Sequence, residues 1–419
     1  MVVELISVGT ELLLGNIVNT NACYLSRKCA ELGYDLYHEI TVGDNEARLC
    51  EAIKTSLSRA DVVILTGGLG PTKDDLTKEA LAKVLNRNLV MDEESRKKIE
   101  DYFKFRYLNN PKHTVSDNNW KQALKIEDSI VVQNNNGTAP GYIVEHNSKV
   151  VILLPGPPNE MIPMFEESIV HYLQKKQKKV FFSVMVKICG IGESRAETDI
   201  MDLIEGQSNP TIAPYAKNGE VHFRITAAAD SEDEAKRLIN PLVEKLTRRF
   251  GNNIYTTDEQ ESLEEVLIKL LKKHNLTLST AESCTGGLLA GRLVNVGGVS
   301  EVFGEGFVTY SNEAKMKYLH VKEETLKQFG AVSSQTASEM VIGAAQAAKA
   351  NAALAITGIA GPDGGSSAKP VGLVYIAAYL NGSVTVNEYH LKGNRQNIRE
   401  MSVIYAMDLL RRMILNQLQ

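Results

Sequence analysis

Asp61-Val62-Val63-Ile64-Leu65-Thr66-Gly67-Gly68-Leu69-Gly70 decides the fold of the first third of this chain. Asp61 to Leu65, four apolar residues in a row after Asp61, reads as a short strand buried on both faces, and the glycines that follow open a loop at its carboxyl end. Working outward, Val2 to Val8 reads as a strand. Asn21 to Leu32 reads as a helix stopped by Gly33, Tyr34 to Val42 as a second strand, and Glu46 to Ser58 as a helix with Leu49, Ala52, Ile53 and Leu57 on one face. The order is βαβαβ. It predicts an α/β fold, a doubly wound parallel sheet with helices on both faces and any ligand at the carboxyl ends of the strands. The loops there are Gly9-Thr10-Glu11 and Thr66 to Asp75.

Further along, Lys175-Lys176-Gln177-Lys178-Lys179 reads as a solvated linker, and Val180 to Ile188 starts a new strand. A small α+β unit is expected next: a helix over Ser194 to Ile204, a strand pair around Lys217-Asn218-Gly219, and a helix over Ser231 to Phe250 closed by Gly251. Its Gly190-Ile191-Gly192-Glu193 approaches the loop of RNA-binding KH modules, but the glycine spacing is short by one and Glu193 has the wrong charge, so a structural spacer is the favoured reading. A third unit opens with an amphipathic helix presenting Leu263, Val266, Leu267, Leu270 and Leu271. The strand Leu276 to Thr280, the small-residue helix Gln335 to Ala350 and the strand Ala353 to Thr357 follow, the last running into a glycine-rich turn. The expected domains are 1–172, 173–255 and 256–419, in keeping with 419 residues at roughly 150 per domain.

Hydrophobic residues make up 43% and charged residues 23%, which suits globular folding, and no stretch approaches the ~20 apolar residues that span a bilayer. The N-terminal run has Glu4 inside it and no basic lead, so it reads as a strand and not a secretion signal; a cytoplasmic address is expected. Five cysteines in no CxxC pair argue against a disulfide framework or a structural zinc site. A net charge of −5 gives no bulk attraction to nucleic acid. Three apolar-cored domains on short linkers make a homodimer the expected assembly.

The chemistry concentrates at Thr280-Ala281-Glu282-Ser283-Cys284-Thr285-Gly286-Gly287 and at Phe307 to Lys315. Ser283 is placed just before a helix starting near Gly286, so that the amides of Cys284 to Gly287 would face it and hold an oxyanion. Lys315 falls in the first turn of a helix capped by Ser311 or Asn312, where the helix dipole and burial both favour the neutral amine that can act as a base. Tyr310, at a strand end, can relay the proton or orient the lysine. Two other readings stand beside this one: Ser283 as a plain N-cap with Lys315 on the surface, and Cys284 as the nucleophile.

From Thr280 to Gly287, Gly306 to Lys315 and Thr357 to Pro370, with Gly330-Ala331-Val332-Ser333, Arg395 and Arg399, the chain resembles the nicotinamide-mononucleotide deamidases of the PncC type. The resemblance implies Ser283 as nucleophile, Lys315 as general base and Tyr310 as assistant, with Thr285, Gly286, Gly287, Asn312, Thr357, Gly358, Ile359, Ala360, Gly361 and Arg399 around the nucleotide. The implied reaction turns nicotinamide mononucleotide and water into nicotinate mononucleotide and ammonia, with no metal or organic cofactor. In the first unit, Thr66-Gly67-Gly68-Leu69-Gly70-Pro71-Thr72 with Asp74 and Asp75 resembles the signature of the molybdopterin-binding fold. With Ser7 to Gly15, Asn19-Thr20-Asn21, Gly137 to Gly141 and Leu154 to Glu160, it is similar to CinA-type proteins over the whole chain, the middle unit being KH-like. That resemblance implies an ADP-ribose pyrophosphatase here, releasing AMP and ribose phosphate with a divalent ion (Mg, Mn or Co). Thr66, Gly67, Gly68, Gly70, Pro71, Thr72, Glu11 and Asn21 would hold the nucleotide, and Asp74 and Asp75 the metal. On a helix two consecutive carboxylates diverge by about 100°, so one of them is expected to face the ligand. The alternative from another class is a competence-associated regulatory protein that binds nucleotides at this site without turning them over.

Overall fold

The computed structural model describes residues 1–106, 117–177 and 179–418. They pack as two compact units, residues 1–182 with 228–235, and residues 183–227 with 236–419.

The first unit is built on a six-stranded sheet in the order Asp35–Val42, Val2–Val8, Val62–Thr66, Lys149–Leu154, Gly141–His146, Ile130–Val132. Val62–Thr66 is buried along its whole length, as a strand with helices on both faces must be. The helix Glu46–Arg59 starts at an Asn45 cap, whose side chain accepts from the Arg48 amide, and buries Leu49 and Ile53 one turn apart. The expected all-parallel sheet is corrected at Gly141–His146, which runs against Lys149–Leu154. Asn147 and Ser148 carry the reversal with φ of 48° and 62°, the conformation of a two-residue hairpin turn that an Asn-Ser pair advertises less clearly than Asn-Gly. The lysine-rich linker also shortens: Lys175 and Lys176 finish the helix Val170–Lys176, and Lys178 lies outside the described residues.

The middle sheet has the order Thr211–Lys217, Glu220–Ala229, Val180–Cys189, Ile254–Thr256, with the helix Glu232–Phe250. The single helix expected over Ser194 to Ile204 is two, Glu193–Thr198 and Met201–Ile204, parted where Ile200 leaves helical geometry (φ −120°, ψ 9°) and becomes wholly buried.

The C-terminal sheet has the order Phe303–Val308, Leu278–Glu282, Ala352–Gly358, Leu373–Leu380, Ser383–His390. Its first three strands are parallel, and the last two form an antiparallel hairpin. Leu263–Lys273 carries a capping box, Ser262 with Glu265, and buries Leu263, Leu267 and Leu271 at about 1.5–3 kcal/mol each. The last helix, Arg395–Leu418, runs along this sheet to the middle strands. Near its end Asp408 holds two guanidinium groups: Arg411 donates to Oδ1 (2.6 and 2.9 Å) and Arg412 to Oδ2 (2.7 Å). Arg411, 2% exposed, also donates to the Asn252 carbonyl, and Arg412 to that of Cys189. A buried carboxylate with paired, hydrogen-bonded partners offsets the cost of removing these charges from water.

Candidate active site

Leu278–Glu282 lies between two parallel neighbours, so the carboxyl ends of three strands open on one side. Ser283 follows directly, its amide donating to the Ile356 carbonyl (3.0 Å) and its side chain nearly buried. Glu282 passes the chain to the neighbouring strand end, its carbonyl accepting from Thr309 (2.8 Å). Two residues on, Ser311 caps the helix Asn312–Leu319 through the Ala314 amide, and this helix carries Lys315 into the protein at 0% exposure.

Sheet register and helix cap thus bring together two residues 32 positions apart. Lys315 Nζ lies 2.9 Å from Ser283 Oγ, 2.8 Å from the Thr309 carbonyl and 3.3 Å from that of Tyr310. Two carbonyls and one hydroxyl satisfy either the three donors of an ammonium or the two donors and lone pair of a neutral amine, and no carboxylate is hydrogen-bonded to Nζ among the described residues. Burial brings the amine down to about 8. The stability consequence has a definite sign. Below pH 8 the lysine is charged in both states and its burial costs roughly 3 kcal/mol; between 8 and 10.5 the folded state has shed a proton that the unfolded state keeps, so stability rises with pH. The advantage of Lys315→Met over the original chain in urea unfolding is therefore expected to shrink across that window, and a pH-independent difference refutes the assignment.

Other expected residues are placed differently. The helix after Ser283 starts at Leu288, not Gly286, and has six residues. Its amides are already occupied: Gly287, Leu289 and Ala290 donate to the Glu282 carboxylate, and Gly286 to the Ser283 carbonyl. The Tyr310 phenol is 64% exposed and meets Arg395 at 3.5 Å; only its carbonyl reaches Lys315. Burial pushes the Cys284 thiol up to about 11, which suppresses the thiolate. Thr357 Oγ1 is spent on the Ala331 carbonyl (2.7 Å), and Asn312 stands exposed at the helix start. Gly358, Ile359, Ala360 and Gly361 form the turn leaving Ala352–Gly358: Ile359 pairs with Leu373, and Gly361 accepts from Arg395 (2.7 Å). Arg399 donates to the Thr285 carbonyl (2.6 Å), while Arg399 Nε and Thr285 Oγ1 are buried without partners, two polar groups beside the serine that a ligand can satisfy. Glu282 and the Thr309 carbonyl had no assigned role; a glutamate closing the strand directly before the serine was the available signal for the first.

In the first unit, the glycine loop lines a cleft of about 460 Å³ together with Glu11, Asp44, Asp74, Asp75, Gln122, Thr138, Gly156 and Glu160. Gly67, Gly68, Gly70, Pro71 and Thr72 all face it; Asn21 and Thr66 line an adjoining hollow of about 300 Å³ that shares Glu11. Gly67 has φ +95°, and a Cβ there would stand 2.3 Å from the Val8 carbonyl, so only glycine lets the two strand-end loops approach. Asp74 and Asp75 are not on a helix; they occupy the turn before Thr77–Leu85. Asp75 is committed to the turn, accepting from the Thr72 amide (2.8 Å) and hydroxyl (2.6 Å), and Asp74 is exposed at the cleft. Asp44 and Gln122 were not expected; the Gln122 Oε1 is buried without a partner. No three His, Cys, Asp or Glu side chains converge among the described residues, but an Mg-type ion keeps waters and takes one or two carboxylates plus substrate phosphates, and Asp74 with the other acidic groups of the cleft fits that demand.

Family models match along the chain in this order: "Probable molybdopterin binding domain" over residues 4–175, "Damage-inducible protein CinA KH domain" over 183–256, and "CinA C-terminal domain" over 260–414. CinA-like proteins from Dictyoglomus turgidum and Kosmotoga olearia are 52% and 51% identical over 413 and 415 residues, 99% of each chain. A solved competence/damage inducible protein from Agrobacterium tumefaciens is 48% identical, with 37% of this chain and 94% of that one covered at a TM-score of 0.36. Fold and matches define a mixed α/β protein of three parts: a molybdopterin-binding-type domain, a KH-like domain and a C-terminal domain. The chain belongs to the CinA family. Among the described residues no helix is long and apolar enough to cross a membrane.

Proposed function

We propose that the chain is a nicotinamide-nucleotide amidohydrolase. The observation that carries the reading is Lys315 Nζ at 2.9 Å from Ser283 Oγ, in surroundings that favour the uncharged amine. Ser283 Oγ attacks the carboxamide carbon while its proton passes to Lys315, and backbone amides hold the oxyanion. When the tetrahedral intermediate collapses, Lys315 returns the proton to the departing nitrogen and ammonia leaves an acyl-serine. Water then adds with Lys315 again taking the proton, and the nicotinate product departs as Ser283 regains its hydrogen. Arg399 Nε and Thr285 Oγ1, buried and without partners, supply polar groups for the part of the nucleotide that lies next to the serine. The test is ammonia release from nicotinamide mononucleotide by the purified chain, with nicotinate mononucleotide as the matched product. A chain that binds this nucleotide but releases no ammonia sinks the proposal. Activity is expected to rise with pH through about 8 as Lys315 deprotonates.

The acidic, glycine-edged cleft of the first unit supports a second reading, hydrolysis of ADP-ribose to AMP and ribose phosphate. Asp74 would hold a divalent ion, which when bound supplies charge neutralisation for the diphosphate. The loop from Gly67 to Thr72, which lines the cleft, would cradle the phosphates, and Glu11 and Asn21, which line the adjoining hollow, would take the sugars. AMP formation is expected to stop with a chelator and to return with Mg, Mn or Co. ADP-ribose binding with no AMP under any metal favours the regulatory alternative.

A further inference from the structure

Glu282 ends a buried strand at 0% exposure, and no lysine, arginine or histidine is paired with it among the described residues. Its carboxylate is instead used entirely on backbone: Oε2 accepts from Gly287 (3.0 Å) and Leu289 (3.0 Å), and Oε1 from Ala290 (2.9 Å). Hydrogen bonds of this kind satisfy the acceptor oxygens of a buried carboxyl group without a cationic partner. They fold the chain from Glu282 to Ala290 back on its own start, with Gly286 and Gly287 at φ of 60° and 92°, and Ser283 sits inside this loop. The Gly286 amide is taken by the Ser283 carbonyl and the Leu288 amide by that of Thr285. Between the serine and the helix, no oxygen among the described residues accepts from the amides of Cys284 and Thr285, and the Cys284 amide lies against its own sulfur.

We propose that Glu282 is the positioning residue of the nucleophile loop, and that by holding three amides of the following turn it leaves Cys284 and Thr285 as the pair of oxyanion donors. This rests on the Ser283–Lys315 reading above and adds to it which amides act and what sets them. The device is economical in sequence: the residue before the nucleophile shapes the residues after it. A glutamine at 282 keeps the volume but replaces one acceptor oxygen by an NH₂ group, which meets a backbone N–H head-on. The loop must then rotate away from the arrangement that serves the serine.

The experiment uses the full chain and a fluorophosphonate, which reacts with an activated serine through an oxyanion and needs no knowledge of the natural substrate. Glu282→Gln is expected to slow labelling of Ser283 on the order of 100-fold, as loss of oxyanion donors does, and to lower kcat for nicotinamide mononucleotide by a similar factor with KM within threefold. Ser262→Ala, which breaks the capping box of Leu263–Lys273 away from the serine, controls for lost stability and is expected to label at the original rate. Labelling of Glu282→Gln at the original rate overturns the proposal while leaving the serine reading intact; an unlabelled original chain overturns both. Should the variant not fold, amide resonances decide: on phosphonylation of the original chain, Cys284 and Thr285 are expected to move downfield while Gly287 stays. The reverse pattern removes Glu282 from the role.

Discussion

Ser283→Ala is expected to lower ammonia release from nicotinamide mononucleotide by on the order of 10⁴-fold, and Lys315→Met by a similar factor, because groups that act as one unit each cost nearly the whole effect when removed. The double variant should be little worse than either single one. Both should fold. Ser283→Ala deletes one hydroxyl near the surface of the site; Lys315→Met keeps the volume and relieves a burial penalty, at the expense of two carbonyl partners, Thr309 and Tyr310. Cys284→Ala is expected to retain activity, since burial holds that thiol at about 11. Tyr310→Phe is also expected to lose little, because among the described residues its exposed phenol meets Arg395 alone. Full turnover by Ser283→Ala, or a collapse in Cys284→Ala, removes the serine from the mechanism.

Gly67→Ala is expected to abolish nucleotide binding in the first unit, with affinity for ADP-ribose reduced at least 100-fold in calorimetric titration. The added methyl lands 2.3 Å from the Val8 carbonyl, a backbone atom that cannot step aside, in a left-handed conformation that already penalises any Cβ by about 1–2 kcal/mol. The loops after Val2–Val8 and Val62–Thr66 must separate, and both line the cleft. Ammonia release should remain within twofold of the original chain. Unchanged ADP-ribose affinity in this variant places the ligand elsewhere.

Much of this was readable from residue order. Val62–Thr66 is apolar on both faces because it is covered on both, and that run with its glycine loop predicts the sheet and the end of it that matters. The antiparallel strands are a different case. Asn147-Ser148 reverses the chain with an unremarkable pair, whereas Asn381-Gly382, joining Leu373–Leu380 to Ser383–His390, is the residue pair that most strongly marks a short hairpin, a signal the expected strands did not include. Ser283 and Lys315 were nameable from the motif they resemble, but their 2.9 Å approach depends on strand register and on the Ser311 cap, which no local pattern encodes. The turn at Asp74 and Asp75 looked helical because the helix Thr77–Leu85 follows it at once; the Thr72–Asp75 hydrogen bonds that delay the helix arise only when the loop is closed.

The terminal helix has one more implication. Arg411 and Arg412 reach carbonyls contributed by Asn252 and Cys189, upstream of the segment that bears the serine. Cleaving the polypeptide near residue 256 and isolating the downstream portion would leave the Asp408 pairing intact but remove these carbonyl acceptors, a loss of about 1.5–3 kcal/mol for each bond to a charged group. Residues 183–227 and 236–419 should therefore melt as a single calorimetric transition, and the isolated downstream portion is expected to melt below its parent.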